Sequence, residues 1–182
     1  MESTPRDLGL LDLIDAFSRE AFTTEVWRIC RDGRDPIQGA ASRSRWCNGN
    51  FDVLYTSFER DGALAEIHAL LTLQPVFPSK VISRVHRFSI SVTRTLRLAD
   101  LPTLERLGVD TAHYGTRDYT KIQAIADAAH FLDFDGIIAP SARWPCLNAM
   151  LFTERLADKA ILIEHTESDP VDWAAWQRAK RP

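Results

Sequence analysis

The chain predicts a single α+β domain built on one mixed sheet, and three observations carry that prediction. Its 182 residues suit one domain, since two separate cores would each be small. Segments with the two-residue period of strands are interspersed with segments at helical spacing, without the regular βαβ alternation of a doubly wound fold. The sequence has no glycine-rich phosphate loop of either common type. With 45% hydrophobic and 26% charged residues, the composition is that of an ordinary globular chain able to bury a continuous core.

The elements follow in chain order. Leu8–Glu20 places Leu11, Ile14, Ala16 and Phe17 near helical spacing among Asp12, Asp15 and Arg19, which predicts a partly amphipathic N-terminal helix. Thr24–Cys30 reads as a strand. Arg31–Ser44, rich in Gly, Asp, Pro and Ser, reads as a loop long enough to be functional or mobile. Phe51–Ser57 alternates, with Phe51, Val53, Tyr55 and Ser57 on one face and Asp52, Leu54 and Thr56 on the other. Ser57 or Asp61 can cap a helix running to about Leu73, which Pro75 and Pro78 end. Arg84–Val92 is a second alternating strand. Leu101–Leu107 forms a short helix closed by Gly108, and Thr116 is the expected cap of a longer helix reaching Leu132. Gly136–Pro140, Leu147–Phe152 and Ala160–His165 complete the strands, and Trp173–Trp176 lies in a last helix.

Charge and cysteine usage narrow the function classes. A formal net charge of −3 gives no general attraction for nucleic acid or anionic membrane, so an anion site must come from local arginines in a pocket. Four arginines around the 31–45 loop, interleaved with Asp32 and Asp35, make only a weak basic patch for RNA. Cys30, Cys47 and Cys146 form no CxxC and no zinc spacing, and no pair of the five histidines has ligand spacing, so no metal site is expected. The N-terminus carries Glu2, Asp7, Asp12 and Asp15 where a signal peptide needs basic and then apolar residues. No apolar run approaches about 20 residues, and a cytoplasmic, reduced location is expected.

Each candidate functional residue has an ordinary alternative. Taking the helix at about 100° per residue, Glu66 lies nearly opposite the Leu64, Ile67, Leu71 stripe, where helices usually meet solvent. Yet Ala63 and Leu70 flank it instead of lysines, as on a helix covered from two sides. Arg45 has Trp46 beside it as a ring to stack on; alternatively Arg28, Arg43 and Arg45 supply forked donors to a phosphate pair. Tyr55 suits a core tyrosine or a stacking platform. Ser141 follows an apolar strand where turn residues and caps are common, and it lacks the GxSxG elbow of a hydrolase. His68 reads as a packed residue.

In combination and in this order, the pieces resemble the RES domain family, named for an arginine, a glutamate and a serine. VWRIC contains Arg28, RW contains Arg45 and Trp46, LYTS and ALAE contain Tyr55 and Glu66, and APSARWPCLN contains Ser141 and Asn148. The spacings of 10 residues from Arg45 to Tyr55 and 11 from Tyr55 to Glu66 fit the family, over a span of about Val26 to Ile163. Ser44 and Cys47 stand where members commonly have glycine and asparagine, and Asn48 follows one residue later.

The resemblance implies a fold similar to ADP-ribosyltransferases of the diphtheria-toxin type. Residues 24–165 would form the RES catalytic domain, 1–23 an N-terminal helical extension and 166–182 a C-terminal helical tail. It implies the toxin of a bacterial toxin–antitoxin pair, with NAD+ as substrate, consumed by hydrolysis or phosphorolysis or used to pass ADP-ribose to a protein acceptor. The expected partner is an Xre-like helix-turn-helix antitoxin that blocks the active site, in assemblies that commonly contain toxin homodimers. Glu66 would stabilise an oxocarbenium-like ribose and Tyr55 would stack on nicotinamide. Arg45 and Arg28 would grip the pyrophosphate or ribose side, and Ser141 would bond ribose or carboxamide or order the site. A mono-ADP-ribosyltransferase acting on one cellular protein is the nearest alternative, and a non-catalytic interaction or RNA-binding module the third.

Overall fold

A computed structural model describes residues 5–180; residues 1–4, Glu2 among them, and 181–182 lie outside the described residues. Asp7 opens helix α1 (Leu8–Asp15) by accepting from the Leu10 amide, which points Leu10 and Ile14 into the core. The helix is shorter than its spacing predicted, because strand β1 (Glu20–Arg31) begins at Glu20 instead of Thr24. β1 is recruited along its length by strand β5 (Ser83–Arg97), from Glu20 against Thr95 to Arg31 against Ser83. Ladder pairing of this kind overrides the weak strand signal of the flanking polar residues.

The predicted 31–44 loop contains strand β2 (Arg43–Ser44), which pairs with β3 (Cys47–Asn48) in a small hairpin. Strand β4 (Val53–Ser57) starts two residues later than expected, since Phe51 leaves the strand to stack on His130 at 4.4 Å. Neither predicted cap opens helix α2 (Arg60–Leu71): Glu59 holds that position, while Asp61 accepts from Trp176 Nε1 and Lys180 Nζ. Helix α3 (Leu101–Arg106) is closed by Gly108 at φ +84°, as its sequence predicts. Helix α4 (Thr120–Phe131) begins after Thr116, because Asp118 accepts from the Thr120 amide and hydroxyl. Strands β6 (Gly136–Pro140) and β7 (Leu147–Phe152) have the predicted bounds, β8 (Ile161–Thr166) is shifted by one, and helix α5 runs Trp173–Lys180.

The main sheet has the order β1-β4-β7-β6-β5-β8, and β1 also pairs with β5, so five strands close a circuit with β8 on its edge. All pairings are antiparallel except β5 with β6. Val26, Leu54, Phe88, Ile90, Val92, Ile138, Ala149 and Leu151 come from every strand of the circuit and form one buried cluster, its interior. The alternate face of β4, β6 and β7 carries Val53, Ile137, Met150 and Phe152 into a second cluster with α1, α3 and α4. Ala63 and Leu64 of α2 and Trp173 of α5 pack on Ile29 and Val85 in a third. The protein is thus a single mixed α+β domain. Among the described residues no helix is long and apolar enough to cross a membrane.

Asp135 explains why β5 outruns its predicted end at Val92. Its buried carboxylate accepts from the Thr93 and Arg94 amides at 2.7 and 2.8 Å and from Thr95 Oγ1 at 2.7 Å, which satisfies the polar stretch internally. Asp135→Ala leaves those donors unpaired, and chemical denaturation is expected to show a loss of about 2 kcal/mol.

Candidate active site

Three strands of the sheet meet at one end. β4 finishes at Ser57, opposite Asn148 near the start of β7, and β6 finishes at Pro140, opposite Leu147. Since alternate residues share a face, Tyr55, Ser57, Asn148 and Ala139 all face away from the circuit's interior. Only two residues separate Ser57 from α2, so the helix folds straight back over this strand end and buries Gly62, Ala63, Leu64 and Ala65. Ala63 and Leu64 serve the hydrophobic layer with Trp173. The side carrying Gly62 and Glu66 meets Ser57, Cys146, Asn148 and Ser141.

Glu66 is half-buried there, and both of its protein bonds converge on one oxygen. Oε1 accepts from Ser141 Oγ at 2.5 Å and from Asn148 Nδ2 at 3.0 Å, and among the described residues Oε2 has no donor. The direction of the serine bond follows from its other contacts. Ser141 Oγ accepts from the Arg143 and Trp144 amides, so its one hydrogen is left for the carboxylate. The same serine closes its turn through a bond from its amide to the Cys146 carbonyl. Asn148 is buried, and among the described residues its Oδ1 has no partner.

Arg45 enters from the tip of the β2–β3 hairpin. Its Nη1 donates to the Tyr114 carbonyl at 2.5 Å and its Nη2 to the Thr116 carbonyl at 3.3 Å. Its guanidinium lies 5.1 Å from the Tyr114 ring centroid and 4.8 Å from that of Tyr119. The stacking partner is therefore not the adjacent Trp46, which is buried as an anchor for the hairpin. Tyr55 holds this hairpin from below: its hydroxyl accepts from the Trp46 amide at 2.9 Å and shares a 2.7 Å bond with Ser44. Gln123 of α4 ties it from the other side, donating to the Ser44 and Cys47 carbonyls. Burial raises the Tyr55 phenol far above its ordinary pKa, so it stays protonated and available for this bonding.

Tyr114 joins the two halves of the site. Its backbone binds Arg45, while its hydroxyl donates to the Pro140 carbonyl at 2.7 Å, next to Ser141. Burial raises its phenol pKa, Glu66 adds to the rise and Arg45 opposes it, so this side chain lies in the field of both. Glu66, Ser141 and Asn148 are thus brought together, Arg45 is linked to them through Tyr114, and Tyr55 lies two residues from Ser57 on the same sheet face. Arg28 stands apart. It donates to the Tyr55 carbonyl at 3.0 Å and the Gln38 carbonyl at 3.4 Å, its buried Nε has no partner among the described residues, and burial lowers its pKa. His68 is packed as expected, against Phe77, Trp173 and Trp176.

The sequence offered little to single out Tyr114, since its partners are 69 and 26 residues away. Asn148 had a signal, a polar residue inside the apolar run Leu147–Phe152.

The RES domain profile matches residues 25–174 of this chain. The chain belongs to the RES domain family. The chain is 24% identical over 143 residues to the NAD(+) phosphorylase MbcT of Mycobacterium tuberculosis, and equally to MbcT of Mycobacterium bovis, covering 75% of this chain and 77% of theirs. The fold is that of a chain in the crystal structure of the M. tuberculosis MbcT–MbcA toxin–antitoxin complex: the two chains superpose with a TM-score of 0.81 at 21% identity, over 94% of this chain and 97% of the other. The family match extends beyond the span to Ile163 that the motifs suggested, to the start of α5.

Proposed function

We propose that this protein is the toxin of a bacterial toxin–antitoxin pair that cleaves the nicotinamide–ribose bond of NAD+, with inorganic phosphate as acceptor. The observation that carries the reading is the Glu66 carboxylate, fixed through Oε1 by Ser141 and Asn148 with Oε2 left for a ligand. Membership of the RES domain family and the likeness to an NAD(+) phosphorylase support it.

The leaving nicotinamide of NAD+ is already a cationic pyridinium and needs no acid. The C1′–N bond pair returns to the ring nitrogen, neutral nicotinamide departs, and C1′ becomes oxocarbenium-like. A fixed carboxylate beside that carbon stabilises the developing positive charge without having to reorganise. An oxygen of phosphate, already anionic, then attacks C1′ and forms ADP-ribose 1″-phosphate. In this reading Tyr55 supplies an aromatic platform as well as its bond to Trp46. Arg45 meets the pyrophosphate with the N–H groups that Tyr114 and Thr116 leave free, and Arg28 acts from behind the Tyr55 strand. Ser141 orders the carboxylate.

The same reading makes residues 24–165 the catalytic unit, preceded by the segment that carries α1 and followed by the one that carries α5, on a scaffold akin to diphtheria-toxin-type ADP-ribosyltransferases. It places the protein in the cytoplasm, with an Xre-like antitoxin covering the site and toxin homodimers in the complex.

The test is incubation of purified protein with NAD+ labelled in its ADP-ribose half, with and without added phosphate, and with cell lysate freed of phosphate by dialysis as the source of protein acceptors. Expected are nicotinamide release and a labelled sugar phosphate formed only when phosphate is added. Label on a protein band would instead establish the mono-ADP-ribosyltransferase, and free ADP-ribose independent of phosphate would establish a hydrolase. Intact NAD+ would overturn the whole assignment.

A further inference from the structure

We propose that Gly62 is a positioning residue for the Glu66 carboxylate: its missing side chain sets how closely α2 seats on the ends of β4 and β7. The inference rests on the NAD+-cleaving reading of the site. Gly62 has no conformational need to be glycine, because the glycines with positive φ among the described residues are Gly33, Gly49 and Gly108. Gly62 lies in the first turn of α2, where glycine has no helix-forming advantage over alanine. Space is the remaining reason. A Cβ at Gly62 would lie 2.5 Å from Cys146 Sγ and closer still to Ser57 Oγ, both far inside van der Waals contact.

Neither atom is the loose end of a long side chain. Ser57 and Cys146 share a 3.3 Å bond, and Ser57 Oγ also accepts from the Glu59 amide. Gly62 and Glu66 are four residues apart and so lie on one face of the helix. Ser57 is the register partner of Asn148, which donates to Glu66. An added methyl group therefore pushes α2 off the strand pair, in the direction that stretches the Glu66 bonds to Asn148 and Ser141. Small displacements of this kind cost rate more than binding when the displaced group acts on the reacting bond.

The test compares Gly62→Ala in two backgrounds, the parent and Ser57→Ala/Cys146→Ala, in which both opposing atoms are gone. In the parent background, kcat for NAD+ cleavage is expected to fall about tenfold or more with KM held within about twofold. In the relieved background the same substitution is expected to change kcat by less than about twofold. A variant that folds only in the relieved background reports the same collision. Equal loss in both backgrounds, or no loss in the parent, would overturn the inference. A crystal structure of Gly62→Ala separates it from the functional reading: should the parent leave NAD+ intact, that reading fails alone. An unbroken Glu66–Asn148 bond in the variant would then refute the seating role, and a broken one supports it.

Discussion

Glu66→Gln is expected to fold like the parent and to cleave NAD+ about a hundredfold more slowly, a loss of about 3 kcal/mol in transition-state stabilisation. The substitution isolates charge from geometry. A glutamine keeps the length of the side chain and offers a carbonyl oxygen to the same Ser141 and Asn148 donors, so the local bonding survives. What disappears is the negative charge that would face the oxocarbenium-like ribose. Because that charge matters only once positive charge develops, the loss should fall on kcat and leave KM nearly unchanged. The measurement is steady-state nicotinamide release, with thermal unfolding as the control for folding. Turnover within about threefold of the parent would remove Glu66 from the chemistry.

How Glu66 came to look solvent-facing shows where reading the sequence stops. A helical wheel assumes one buried side, and α2 has two: Ala63 and Leu64 face the Trp173 layer, while Gly62 faces Ser57 and Cys146. The second contact is made by small residues, which carry almost no periodic signal. Strands β6 and β7 were legible at their ends because apolar runs stop there at Pro140 and begin after Pro145. β5 was not, because Thr93, Arg94 and Thr95 are polar and their partner Asp135 lies about 40 residues on. The same limit hid Tyr114. Local pattern reports which face of an element is apolar; it says nothing about a tyrosine whose backbone and hydroxyl serve two distant segments.

Arg45→Ala is expected to lower kcat/KM for NAD+ about thirtyfold, about 2 kcal/mol, and Arg45→Lys to recover little of it. In the free protein the guanidinium holds two carbonyls of the Tyr114–Thr116 segment and lies 5.1 and 4.8 Å from the centroids of two tyrosine rings. A lysine ammonium lacks the planar fork that reaches both carbonyls while stacking, so charge alone does not replace it. Two roles then predict different signatures. If Arg45 only grips the dinucleotide, hydrogen exchange without NAD+ is the same in parent and variant, and only affinity falls. If it also braces the Tyr114 segment, the amides around Tyr114 and Thr116 exchange faster in the variant before any ligand is added. The bond from Tyr114 to the Pro140 carbonyl, adjacent to Ser141, makes the second outcome the expected one, because loosening Tyr114 loosens the turn whose serine holds Glu66. Unchanged exchange together with kcat/KM within about threefold of the parent would refute both roles.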